Sequence, residues 1–175
     1  MIGVGAIGEE TARLAKAFGM NVLGFRRSGK SSPYVDRMYD RHGLDELLAA
    51  SDYIVVTLPL TKETGHLIGR REFQWMKSSA FFINIGRGAT TDTDALINAL
   101  QEGVIAGAGL DVFEQEPLPE SSPLWGMEQV IMTPHNSGST VYYDERVVEL
   151  FLHNLRDYVE GREPSLNRVD LEKQY

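Results

Sequence analysis

Residues 1–10 read MIGVGAIGEE, and the run Gly3-Val4-Gly5-Ala6-Ile7-Gly8 decides how the rest of the chain is read. Gly3 permits a tight turn, Gly5 lets backbone approach a pyrophosphate, and Gly8 lets a helix pack close against a strand. A helix opening here presents free amides and a partial positive charge to phosphates. Such a turn normally follows a complete buried strand, yet only Met1 and Ile2 precede it. Glycine-rich strand–helix junctions are common, so the motif alone is weak and its surroundings must decide.

Those surroundings alternate. Short apolar, often β-branched runs at Val22–Phe25, Tyr53–Val56, Ala80–Ile85, Val104–Ala108 and Val130–Met132 read as strands buried on both faces. Helical spacing fills the gaps at Glu9–Phe18, Leu44–Ala50, Arg70–Met76 and Asp92–Gln101, with Gly19 and Gly103 as C-terminal caps. The pattern predicts an α/β fold, a doubly wound parallel sheet of the dinucleotide-binding type with its first strand truncated. A last helix is predicted from Tyr142 to Glu160, with Val147, Leu150, Phe151, Asn154, Leu155 and Tyr158 along one side, and Gly161 ending it. The expected organisation is a dinucleotide-binding domain over 1–160 and a C-terminal tail over 161–175.

Composition narrows the function. The 175 residues carry a formal charge of −8, which leaves no basic surplus for nucleic acid. No cysteine occurs, so disulfides and thiolate metal sites are excluded, and no metal site is expected. No apolar run is long enough to span a bilayer, and no signal peptide opens the chain, so the cytoplasm is the default location.

At the end of the strand after the glycine turn, an NAD enzyme places an acidic residue for the ribose hydroxyls. Here that position is Arg26, followed by Arg27, Ser28 and Lys30. Guanidinium and hydroxyl groups suit a 2′-phosphate where a carboxylate would repel it, so NADP is the expected preference and NAD the alternative.

Three later stretches end strands: INIGRG at 83–88 with Arg87, GLDVFEQEP at 109–117 with Asp111, Glu114 and Glu116, and TPHNSG at 133–138 with His135. In a parallel sheet these ends share one edge with the glycine turn. Singly, each is commonly a surface charge or loop residue; their joint placement gives them weight. Reduction of a 2-oxo acid needs a cation for the carboxylate, which Arg87 supplies. It needs a proton donor for the developing alkoxide, which His135 supplies. It needs a carboxylate behind the imidazole to orient it and favour its charged form, and Glu116 is the choice. His42, His66 and His153 lack comparable settings and read as structural.

With these motifs assembled, the sequence resembles the D-isomer-specific 2-hydroxyacid dehydrogenase family in its cofactor-binding domain. The match runs from Gly3 to about Gly138 through the glycine turn, LPLTKETGHLIG at 58–69, INIGRG, GLDVFEQEPLP and TPHNSGST. The resemblance implies catalytic roles for Arg87, Glu116 and His135. It implies that the amides of Ala6 and Ile7 face the pyrophosphate and that Asp111 meets the nicotinamide carboxamide. Leu58, Pro59, Thr64, Ile85, Gly86 and Gly138 are implied along the cofactor.

The arginine pair resembles the NADP-using glyoxylate and hydroxypyruvate reductases, so a small 2-oxo or 2-hydroxy acid is the expected substrate. Family analogy also implies a homodimer. Family members carry a separate substrate domain before the glycine turn, to which the tail returns. Its absence here leads to the expectation of a fragment, weak or inactive alone, with an unpaired position beside the strand stub. Two alternatives stand: a dehydrogenase-like protein that senses nucleotide, or the same chemistry on 3-phosphoglycerate, formate or phosphite.

Overall fold

The structure is a computed structural model that describes residues 1–40 and 42–172. It divides into two compact units, Met1–His135 and Asn136–Tyr175, so the division falls inside the span read as one domain.

The first unit is built on parallel pairing. Strand β1 (Leu23–Phe25) pairs with β2 (Arg37–Tyr39). Strands β3 (Tyr53–Val56), β4 (Phe81–Asn84), β5 (Gly107–Leu110) and β6 (Val130–Met132) pair in that order. Ile2 bridges Phe25 on one side and Val56 on the other, both in parallel. The Ile2 amide donates to Val55 O at 2.8 Å, the Thr57 amide to Ile2 O at 2.9 Å, and the Phe25 amide to Met1 O at 2.8 Å. The sheet position expected to stay unpaired is therefore filled, because two residues suffice to bond to both flanking strands.

Helices lie on both faces. Leu44, Leu47 and Leu48 of α2 (Leu44–Ala50), Phe73 of α3 (Arg70–Trp75) and Leu96 and Leu100 of α4 (Thr93–Gln101) pack with Ile2, Ile54, Val56 and Phe82. Each large apolar side chain buried there stabilises the fold by about 1.5–3 kcal/mol. Ala12 of α1 (Ala6–Ala17) packs on the opposite face with Met1, Val4, Val22 and Val55. Burial on both faces was expected of every strand, but Tyr53 at the start of β3 and Phe81 at the start of β4 are exposed, and β6, the edge strand of this unit, leaves Ile131 75% exposed.

Two other boundaries differ from expectation. Strand β2 carries only Arg37-Met38-Tyr39 and gives no apolar run to read. The strand expected at Val104–Ala108 begins instead at Gly107. Gly103, at φ +67°, caps α4, and the Val104 amide turns back to Ala99 O at 2.8 Å. That paired C-terminal turn consumes the residues that had looked like the strand's start.

The second unit holds α5 (Tyr143–Val159) and the tail. The side read as its apolar face is open within this unit, with Phe151 59% and Tyr158 72% exposed. Asp157 is buried instead. It accepts from Arg162 and from Ser165, while Asn154 exchanges two hydrogen bonds with the Leu166 backbone. The returning tail thus covers the side of the helix that carries Asn154 and Asp157. Its last residues, 173–175, lie outside the described residues.

Candidate active site

Because all pairings are parallel, the segments after Ile2, β1, β3, β4, β5 and β6 leave the sheet on one edge. The glycine turn, Arg26–Ser28, Leu58–Pro59, Ile85–Arg87, Asp111–Glu116 and Thr133–His135 are those segments.

At the turn, the local packing dictates the residues. A Cβ on Gly8 would stand 2.1 Å from Gly3 O, so only glycine lets α1 seat this close. The same carbonyl accepts the Thr57 hydroxyl at 2.5 Å, which ties the turn to the end of β3. Around Gly5 the situation is the reverse, because a Cβ there would meet no protein atom within 4 Å. Helix α1 opens beside this space with no side-chain cap, which leaves the first-turn amides of Ala6 and Ile7 to serve an anion. Clear space over uncapped amides is what a dinucleotide pyrophosphate requires, so these residues fit that group.

Arg26 and Arg27 stand at the end of β1, each held by a carboxylate. Arg26 Nη2 donates to Glu9 Oε1 at 3.0 Å, and Arg27 Nη1 to Glu63 Oε2 at 3.2 Å. Ser28 is exposed and accepts weakly from the Lys30 amide at 3.4 Å. Leu58 and Pro59 are half-buried, and Thr64 closes their loop by donating to Pro59 O at 2.7 Å.

Arg87 is exposed and folds its guanidinium back onto Gly86 O at 2.7 Å. Its turn is organised from beneath by Asn84, which is 1% exposed. The Asn84 amide donates towards Arg87 O at 3.2 Å and Thr91 Oγ1 at 3.1 Å, and its Oδ1 accepts the Gly86 amide at 3.0 Å. A Cβ on Gly88 would lie 1.9 Å from the Phe113 carbonyl carbon, so the Arg87 turn rests directly on the segment after β5.

That segment brings two predicted residues together. Glu116 Oε2 lies 2.7 Å from His135 Nδ1, and Glu116 Oε1 accepts the Phe113 amide at 2.9 Å. The His135 hydrogen bond, joined by the Phe113 amide, holds the Glu116 carboxyl below its usual range against the opposing effect of burial. The Glu116–Pro117 peptide bond is cis. His135 occupies the left-handed region at φ +51°, a conformation that costs an L residue about 1–2 kcal/mol and clusters at functional sites. Arg87 reaches the same edge but makes no hydrogen bond to Glu116 or His135. Asp111 is buried, with Oδ1 accepting the Thr133 hydroxyl at 2.5 Å. Ile85 is half-buried, Gly86 is buried, and Gly138 is an exposed residue of the second unit.

Sequence reasoning missed three supports. Asn84 was visible inside INIGRG, but only its burial reveals its task. Thr133 carries no pattern of its own. His66, read as structural, stands with Nε2 2.5 Å from Glu114 Oε1, and Glu114 Oε2 accepts the Thr93 amide at 2.8 Å. Burial acts to raise the Glu114 carboxyl, but hydrogen bonds from Thr93 and His66 outweigh it and hold the group below its usual range.

Comparison with known proteins identifies the family. The family described as D-isomer specific 2-hydroxyacid dehydrogenase, NAD binding domain, matches residues 1–137. A glyoxylate reductase of Thermococcus gammatolerans is 45% identical over 164 residues, which are 94% of this chain and 49% of that protein. The chain thus spans about half the length of the curated relatives it matches. A D-isomer specific 2-hydroxyacid dehydrogenase from Xanthobacter autotrophicus, solved with NADPH and MES, superposes with TM-score 0.93 at 38% identity, covering 99% of this chain and 71% of that one. An NADPH-dependent glyoxylate/hydroxypyruvate reductase from Sinorhizobium meliloti, solved with NADP and sulfate, gives TM-score 0.90 at 34% identity, over 99% of this chain and 55% of that one. No helix among the described residues is long and apolar enough to cross a membrane.

Proposed function

The chain belongs to the D-isomer-specific 2-hydroxyacid dehydrogenase family, through its NAD-binding domain, and from that premise we propose that it serves the reduction of a small 2-oxo acid, glyoxylate or hydroxypyruvate, with NADPH preferred over NADH. The observation that carries the reading is the 2.7 Å contact of Glu116 with His135 on the sheet edge that also bears the glycine turn.

When bound, the nicotinamide coenzyme supplies the hydride that the carbonyl carbon receives. The amides of Ala6 and Ile7 hold its pyrophosphate, with Gly5 leaving room, and Asp111 receives the carboxamide. Leu58, Pro59, Thr64, Ile85 and Gly86 line its path. Arg26 and Arg27 bind a 2′-phosphate, with Ser28 beside them, which favours the phosphorylated coenzyme.

Arg87 swings from Gly86 O to the substrate carboxylate and orients the ketone. Glu116 fixes the His135 ring through Nδ1, which leaves Nε2 to give its proton to the oxygen as negative charge develops there. In the reverse direction the same nitrogen takes the proton from the hydroxyl. A homodimer belongs to the same proposal by family analogy, and a cytoplasmic location as the default.

The test is a panel of 2-oxo acids with NADPH and NADH on the full-length protein and its His135→Gln variant. Glyoxylate or hydroxypyruvate should be reduced, and the variant should lose about 10²–10⁴-fold in kcat with coenzyme affinity retained. Coenzyme binding without reduction of any keto acid would favour the nucleotide-sensing alternative. Reduction of a hydroxypyruvate phosphate alone would move the substrate to the 3-phosphoglycerate class.

A further inference from the structure

Glu116 and Glu114 are two residues apart, and each uses both carboxylate oxygens. Glu116 accepts from the Phe113 amide and faces His135, whereas Glu114 faces His66 and accepts from the Thr93 amide. The two donors to Glu114 come from different places. His66 stands on the loop after β3, the loop implied along the coenzyme. Thr93 opens α4, directly after the Arg87 turn. Gly88 of that turn leaves no room for a Cβ above Phe113. Glu114 is thus where the coenzyme loop, the Arg87 turn and the Glu116 segment are joined.

His66 shares a further feature with His135. Both have left-handed backbones, at φ +49° and +51°. Its amide also donates to Ala89 O at 2.9 Å, within the Arg87 turn. The backbone is therefore anchored in a conformation that aims the ring at Glu114, and loss of the side chain need not release the loop.

We propose that Glu114, held by His66, is a positioning residue for the Glu116–His135 pair, an inference that rests on the reductase reading above. The physical reason is geometric. Residues 113–116 form a short irregular segment, and Glu116 can meet both the Phe113 amide and His135 only while the backbone between them is fixed. Glu114 fixes it at mid-segment from two sides, one of them a helix N-terminus that favours a carboxylate. Without that anchor the Glu116 carboxylate swings off Nδ1, and the ring loses its orientation.

The experiment uses the full-length protein as wild type, Glu114→Ala, Glu114→Gln and His66→Asn, with Glu116→Gln and His135→Gln as reference variants. Asparagine tolerates the left-handed backbone, so His66→Asn removes the ring without adding strain and guards against a trivial folding failure. Three quantities are read: kcat and KM, coenzyme Kd, and the ring-nitrogen shifts of His135 in ¹⁵N-histidine-labelled protein, assigned with His135→Gln.

Glu114→Ala and His66→Asn should each lose about tenfold or more in kcat, as expected when a catalytic group is misplaced. Their coenzyme Kd should stay within about twofold, and the His135 Nδ1 shift should move towards that of Glu116→Gln. Glu114→Gln, which keeps an acceptor for Thr93, should recover part of both effects. His135 shifts identical to wild type in Glu114→Ala and His66→Asn overturn the proposal, whatever happens to kcat. If the wild type reduces no keto acid, the reductase reading falls, and the nitrogen shifts still decide whether Glu114 positions the pair.

Discussion

His135 Nδ1 lies 2.7 Å from Glu116 Oε2 across 19 residues of sequence, and the contact favours ionisation of the carboxyl, holding its pKa below the usual range. A carboxyl that is a stronger acid when folded binds fewer protons in the native state than in the unfolded one. Its stabilisation is fully present above the unfolded value, about 4.3, and is lost as pH falls through the lower folded value. Urea midpoints between pH 2.5 and 6 should therefore fall more steeply on the acid side for wild type than for Glu116→Gln. The pair is half-exposed, so the difference should stay within about 1 kcal/mol. Parallel acid limbs for the two proteins would show that the contact is not kept in solution.

Gly8→Ala tests the seat of α1. The added carbon would meet Gly3 O at 2.1 Å, and a backbone oxygen in a hydrogen-bonded turn cannot swing aside. Relief requires α1 to lift from the sheet, at a cost of about 3 kcal/mol or more, the upper range for overpacking. Lifting the helix also moves its first-turn amides, so NADPH affinity should drop together with the urea midpoint. Gly5→Ala meets no protein atom and should leave the urea midpoint unchanged while weakening coenzyme binding. Equal stability losses in the two variants would refute this account of the turn.

Coenzyme choice should follow Arg26 and Arg27. Both guanidinium groups are already held at the end of β1 by Glu9 and Glu63, so a 2′-phosphate would meet partly ordered donors. A charge-assisted hydrogen bond contributes about 1.5–3 kcal/mol, so Arg26→Ala/Arg27→Ala should raise the NADPH Kd by at least about tenfold. NADH should change by no more than about threefold, and only the NADPH affinity of wild type should weaken markedly with added salt. Titration by nicotinamide fluorescence reads all of these values, and equal losses for both coenzymes would reject the arginine assignment.

The order of elements was legible because buried parallel strands announce themselves as apolar runs between helical spacings, as Tyr53–Val56 and Leu44–Ala50 do. Strand β2 was not, since three residues at the sheet edge need no apolar signature. Val104 and Ile105 misled for the opposite reason: an apolar pair directly after a helix cap looks like a strand until the cap's own hydrogen bonds are seen. At the site, the residues proposed to meet a ligand stood out by type, whereas those that hold them did not. Glu116 and His135 are chemically conspicuous, but Thr133 and the His66–Glu114 pair become visible only when segments 22 and 48 residues apart are brought within 3 Å or so, and Asn84 only once its burial is known.

Asn84 offers the sharpest test of that hidden support. Its side chain is 1% exposed and serves the Gly86 amide, Arg87 O and Thr91 Oγ1 at once. Leucine has a similar branched outline, with a somewhat larger volume and no polar atom, so Asn84→Leu keeps the site filled and strands those partners. Arg87 O keeps the Thr90 hydroxyl at 2.7 Å, whereas the Gly86 amide loses its side-chain acceptor in a buried setting. One stranded buried donor costs about 1–3 kcal/mol, so the urea midpoint should fall by a corresponding amount. The turn that loosens is the one carrying Arg87, not the one carrying His135. Full-length Asn84→Leu should therefore show a KM for the 2-oxo acid raised more than kcat is lowered, with coenzyme Kd little changed. A variant with wild-type midpoint and wild-type KM would mean that the Arg87 turn holds itself, and Asn84 would lose its place in the site.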